Sequence, residues 1–167
     1  MMDRRHFLLT LAGLVVAAHS QAQGAGMTPI KAVPAAPTLH LPNGDGKLVD
    51  LAQYRGKVVL VIFWATWCPP CRKEFPSMNR VRKLFKSAQF EVIAVNVGED
   101  PDKVLSFTRN IEFPVLFDRD SKVMGAWSVR GLPSTFLVDK QGRLAFMATG
   151  GREFDDTSIV SLIKGLL

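Results

Sequence analysis

From Val58 to Trp64 the chain is apolar at every position, with Gly56 upstream and Pro69-Pro70 downstream. A β-branched run without alternation reads as a strand, roughly Lys57 to Trp64, buried on both faces as in a parallel sheet. Phe90 to Val97 reads as a second such strand and Phe113 to Phe117 as a shorter third. Between the first two, Phe75, Met78, Val81 and Phe85 recur near helical spacing, which predicts a helix from about Pro69 to Ser87. Pro76 interrupts its hydrogen-bond ladder. Asp100 to Asn110, with Asp100 as N-cap, and Ser121 to Trp127 read as further helices. Strand-helix alternation of this kind implies right-handed βαβ crossovers and a parallel portion of sheet.

The flanks read differently. Thr38 to Leu41 and Lys47 to Val49 enclose the turn-rich Pro42-Asn43-Gly44-Asp45-Gly46, which predicts an N-terminal β-hairpin. Ser134 to Asp139 and Leu144 to Thr149, joined through Lys140-Gln141-Gly142-Arg143, predict a closing antiparallel hairpin. A last helix, Asp155 to Leu167, places Ile159, Leu162, Ile163 and Leu166 on one side.

Before the hairpin the pattern changes twice. Met1 to His6 is basic, Phe7 to Ala18 is apolar, and Ser20-Gln21-Ala22 is a small-x-small site. Together these make a secretory signal over residues 1–22, too short to span a bilayer, so the protein is expected to be exported to the periplasm. Arg4-Arg5-His6-Phe7-Leu8 resembles the twin-arginine export signal, and an ordinary Sec signal with a chance Arg-Arg fits as well. Residues 23–36, rich in Gly, Pro, Ala and Gln, read as a flexible lead-in, and residues 37–167 as one domain of ordinary size.

Composition changes this picture little. Of the net charge of +6, much lies after the cysteines at Arg72, Lys73, Arg80, Arg82, Lys83 and Lys86. That pattern reads as a solvated helix face or a docking surface for acidic partners, and nothing in it indicates nucleic acid.

The chemistry lies in Cys68-Pro69-Pro70-Cys71, where the first strand hands over to the helix. At a helix N-terminus the macrodipole and unpaired N–H groups favour a thiolate, lowering a cysteine from about 8.5 to roughly 3.5–7.5. Cys71, one turn on, is within disulfide reach and can resolve a mixed disulfide formed at Cys68. Half of a zinc site is one alternative, but zinc needs about four ligands and the chain has two cysteines and three histidines, His6, His19 and His40. A purely structural bridge is another, though closing so short a loop constrains the unfolded chain little. No metal and no cofactor are expected.

Phe63-Trp64-Ala65-Thr66-Trp67-Cys68-Pro69-Pro70-Cys71-Arg72-Lys73-Glu74-Phe75-Pro76 closely resembles the active-site segment of thioredoxin-like proteins of the TlpA/ResA type, which are extracytoplasmic thiol-disulfide oxidoreductases. The resemblance spans roughly residues 35–167. It implies an α/β thioredoxin fold: a central mixed sheet flanked by helices, an N-terminal hairpin, and a helix-strand insertion at about 98–118 that thioredoxin itself lacks. Ile62 stands where thioredoxins carry a buried Asp.

Three site assignments follow from the resemblance. Gly131-Leu132-Pro133-Ser134-Thr135 matches the segment that holds a cis proline against the CxxC. That assigns Leu132 and Pro133 to the groove in which an extended substrate pairs as an added strand. In the haem-maturation branch the next residue is typically Glu, and Ser134 stands here. Glu74 occupies the position of the family's active-site acid. One turn beyond Cys71, it could exchange a proton with a cysteine, and as a carboxylate it would raise the thiol pKa values; an exposed surface Glu is the plainer reading. Phe63, Trp64 and Trp67 read first as packing residues; Trp67, beside Cys68, is also assigned with Pro69 to partner contact.

The expected function is reduction of disulfides in envelope proteins, with a membrane thiol-disulfide electron donor restoring the dithiol. Cytochrome c maturation and copper-site assembly are the suggested settings. A non-catalytic haem or apocytochrome chaperone is one rival. A peroxiredoxin-type peroxidase is another, although its signature needs proline at position 61 and threonine at 65, where Val61 and Ala65 stand.

Overall fold

A computed structural model describes residues 26–167, so the proposed signal over residues 1–22 lies outside the described residues. In chain order the elements are β1 (Thr28–Pro29), β2 (His40–Pro42), β3 (Leu48–Asp50), a 3-10 turn (Leu51–Tyr54), β4 (Val58–Trp64), α1 (Pro69–Lys83), β5 (Phe90–Val97), α2 (Pro101–Leu105), β6 (Val115–Asp118), α3 (Lys122–Ala126), β7 (Ser134–Val138), β8 (Leu144–Thr149) and α4 (Thr157–Leu166). The main sheet has the order β1-β8-β7-β4-β5-β6, with β4, β5 and β6 parallel and β7 and β8 antiparallel. The mixed sheet, the N-terminal β2-β3 hairpin and the inserted α2-β6 unit agree with the thioredoxin-fold expectation.

The unbroken apolar run of β4 is explained by its central place. Val58, Leu60, Ile62 and Trp64 join one core with Met78 and Val81 of α1 and Ile159 and Ile163 of α4. Val59, Val61 and Phe63 point the other way, into a second core with Leu39, Trp127 and Phe136. With side chains alternating across a sheet covered on both faces, no position on the strand is left for a polar residue.

Three boundaries differ most from the sequence expectation. α1 runs through Pro76 but stops at Lys83, where Leu84 and Phe85 donate in tighter i to i−3 bonds to Val81 and Arg82. α2 stops at Leu105, not Asn110. The hydroxyls of Ser106 and Thr108 donate to the carbonyls of Lys103 and Leu105, competing with the helical ladder. The third correction concerns the flexible lead-in over residues 23–36. Thr28 and Pro29 pair with Met147 and Phe146 of β8, and the run continues through Ile30 N to Ala145 O, Leu144 N to Pro34 O and Ala36 N to Gly142 O. Met27 is buried in the core that contains both cysteines. The proline content that suggested a linker is compatible with an edge strand, where one face of the backbone needs no partner.

Residues 26–36 therefore belong to the domain. A chain beginning at residue 37 should unfold with a lower urea midpoint than one beginning at residue 26. Burial of Met27 alone contributes about 1.5–3 kcal/mol. Equal midpoints for the two chains would show the strap to be dispensable.

Candidate active site

β4 ends at Trp64, and the turn closed by Cys68 N to Ala65 O at 3.1 Å delivers Cys68 to the N-cap of α1. The two cysteines form a disulfide with Cα atoms 5.4 Å apart. Cys68 is 4% exposed and Cys71 0%, so both are buried and Cys68 alone keeps any contact with solvent. Trp67, at 66% exposed, projects beside it, whereas Phe63 and Trp64 are buried. Pro69 and Pro70 occupy the first two helical positions. Having no N–H, they leave Cys71 as the first backbone donor of the helix, so a thiolate at Cys68 relies on the aligned peptide dipoles more than on a fan of N–H groups.

The Leu132–Pro133 peptide is cis. Because Phe63 pairs with Ser134, the next register position sets Pro133 alongside the end of β4 from which the cysteine turn departs. Its carbonyl accepts from Gly150 N at 2.9 Å, and Leu132 packs against both cores. The loop after β8 closes in from the other side: a Cβ on Gly151 would stand 3.3 Å from Pro70 Cβ. Ser134 turns its hydroxyl back to Gly131 O at 2.7 Å.

Glu74 is no surface residue. It is 2% exposed, and its Oε1 accepts from the backbone N–H of Arg152 at 2.8 Å, while Oε2 meets no donor among the described residues. Burial pushes its pKa up to about 8, against the lowering effect of the Arg152 N–H and the Arg152 charge. At neutral pH the group is thus a protonated acid, and the charge repulsion expected from a carboxylate beside the thiols begins only in the alkaline range.

Two residues that sequence patterning did not single out complete this end of the sheet. Arg152 sends its guanidinium to the carbonyls of Gly26, Thr149 and Gly150 at 2.8, 2.9 and 3.2 Å, tying the N-terminal strap to the loop that touches Glu74. Burial pulls its pKa below the ordinary arginine value. Glu99, buried just past the end of β5, binds the backbone and hydroxyl of Thr66. A signal for Glu99 existed: β4 and β5 are adjacent parallel strands, so an acid just after β5 must lie near the loop just after β4. For Arg152 there was none.

Three of the six basic residues that follow the cysteines are neutralised by pairing with other elements. Arg80 binds Asp155 and Glu153, Arg82 binds Glu91, and Lys83 binds Glu112. Arg72 instead lies over the Phe107 ring at 5.6 Å, holding the insertion against the first turn of α1.

Comparison with known proteins agrees with this geometry. The AhpC/TSA family matches residues 34–147. The thiol-disulfide oxidoreductase ResA of Bacillus subtilis (strain 168) is 43% identical over 117 residues, covering 69% of this chain and 65% of that protein's length. The ResA of Geobacillus thermodenitrificans is 39% identical over 123 residues, 72% of this chain and 71% of its own. A crystal structure of a thiol:disulfide interchange protein of the thioredoxin family from Chlorobium tepidum superposes with a TM-score of 0.68 at 29% identity, covering 84% of this chain and 96% of that one. The chain belongs to the AhpC/TSA family, within its thioredoxin-like branch of ResA-type thiol-disulfide oxidoreductases.

Proposed function

We propose that the protein is an exported reductase of disulfides in partner proteins of the cell envelope. The observation that carries this reading is the Cys68–Cys71 pair itself, joined at a helix N-terminus with Cys68 at the N-cap and Cys71 fully buried in the first turn. In the dithiol state the Cys68 thiolate attacks one sulfur of a partner disulfide. A bond forms between Cys68 and that sulfur, and the partner's second sulfur leaves as a thiolate that takes up a proton. The Cys71 thiolate then displaces the first partner sulfur from Cys68, so the partner gains two electrons and the enzyme ends with the Cys68–Cys71 bond. Glu74, neutral at pH 7 and one turn beyond Cys71, is the proton source for departing thiolates and the proton acceptor when Cys71 is activated.

The substrate lies extended along Leu132 and Pro133 and touches the exposed Trp67 and Pro69 on either side of Cys68. A membrane thiol-disulfide donor returns the dithiol. Apocytochrome c and copper-site assembly proteins are the partner classes this chemistry suits, and the basic apolar leader at residues 1–22 supports work in the periplasm. The peroxidase reading gains no support from the site, since Val61 is a buried strand residue and Ala65 follows the strand where that signature requires proline and threonine.

Direction is tested by equilibrating the protein with a glutathione series. CxxC proteins span roughly −270 to −120 mV, and about 30 mV corresponds to about 1.4 kcal/mol. A reductase should fall in the lower half of that span. A value near −120 mV would make the protein an oxidase.

A further inference from the structure

Beyond β5 stands a buried acid that the exchange steps above do not use. Gly98 adopts a left-handed φ of 69°, turning the chain so that Glu99 lies over the carboxyl end of β4. Its Oε2 accepts from Thr66 N at 2.6 Å and Asn96 Nδ2 at 2.9 Å. Its Oε1 accepts from Thr66 Oγ1 at 2.5 Å and lies 3.3 Å from Lys103 Nζ. Every one of these groups donates, so the pocket fits an acceptor-only carboxylate. Burial by itself would raise the pKa of Glu99, but the bonds from Thr66, Asn96 and Lys103 outweigh it and hold the group below the ordinary range. Thr66 is two residues before Cys68, inside the turn closed by Cys68 N and Ala65 O. Lys103 comes from α2, so the insertion reaches the cysteine turn through this acid.

We propose that Glu99 is a positioning residue for disulfide exchange: by pinning the backbone and hydroxyl of Thr66, with Lys103 of the insertion covering it, it holds Cys68 in bonding position against Cys71. The inference rests on the thiol-disulfide reading above. Two effects of the pin favour the disulfide over the dithiol. A turn already fixed loses less freedom when the two sulfurs join. A fixed negative charge beside the turn also opposes a Cys68 thiolate. Removing the pin should therefore shift the equilibrium toward the dithiol. It should also slow the resolving step, in which Cys71 must find the sulfur of Cys68.

The test uses the full chain and a glutathione series. Glu99→Gln should shift the equilibrium constant toward the dithiol by about fivefold and prolong the mixed disulfide, with KM for a disulfide peptide unchanged because Glu99 touches no substrate. Thr66→Val, which loses the hydroxyl bond and keeps the backbone one, should shift it the same way by about threefold, and Thr66→Ser, which keeps both bonds, should retain the wild-type constant. If Glu99→Gln does not fold, the Val and Ser variants of Thr66 decide alone. A wild type that exchanges with glutathione while every folded variant among Glu99→Gln and Thr66→Val stays within twofold of it overturns the positioning role only. A wild type that does not exchange at all overturns the oxidoreductase reading and this inference together.

Discussion

Cys68→Ala should abolish disulfide reduction completely, while leaving the fold intact. Cys68 caps α1 without a side-chain hydrogen bond, so alanine removes the nucleophile and little else from the helix end. The chain has one other cysteine, Cys71, which is fully buried and cannot take the place of Cys68 at the N-cap. The partner variant gives a different signature. In Cys71→Ala the first displacement still proceeds, but nothing resolves the mixed disulfide, so partner proteins should accumulate covalently attached to Cys68 and become recoverable by non-reducing electrophoresis. A chaperone that merely holds its client would keep full activity without Cys68. Full complementation by Cys68→Ala in cells would therefore replace the enzymatic mechanism with the binding one.

Glu74→Gln should act on both stability and rate, and the sign follows from the raised pKa. Below about pH 4.5 the acid is protonated in folded and unfolded chains alike, so it contributes no pH dependence. Between 4.5 and about 8 the unfolded chain has lost this proton and the native protein still binds it. Stability therefore falls with rising pH, by about 1.4 kcal/mol per unit at most, and levels off above about 8. Glutamine is never charged, so the variant should match the wild type near pH 4 and exceed it by a few kcal/mol at pH 9, as read from urea unfolding at both pH values. A stability difference that does not change with pH would mean that Glu74 ionises normally in the folded protein. For the reaction, the variant loses the proton carrier, and single-turnover reduction of a model disulfide should slow on the order of a hundredfold. The alkaline limb of the wild-type profile, centred near 8, should vanish with it.

What could be read along the chain was whatever depends on neighbours in sequence. The unbroken apolar run of β4 required burial on both faces, and the Cys-Pro-Pro-Cys segment at its carboxyl end required a helix N-terminus. The proline before β7, once matched to the family segment, was expected to be cis, and it is. These features are local: a strand's pattern, a turn and a cap are written within about a dozen residues, and steric rules decode them without knowledge of the rest.

The protonation state of Glu74 was not of that kind. Helical spacing put it one turn from Cys71 and left its burial open, because burial depends on the loop from Gly150 to Phe154 closing over α1. That loop is held by Arg152 N on Glu74 Oε1 and by Phe154 N on Ser77 Oγ. The strap at Thr28–Pro29 was similarly invisible, since its partner is β8 at the far end of the chain. Glu99 acts on Thr66 only because two parallel strands end side by side. Sequence thus determined the paired cysteines and the elements that carry them. Tertiary structure decided which acids are charged and how firmly the sulfurs are held, because desolvation and hydrogen bonding are set by groups that meet only after the chain has folded.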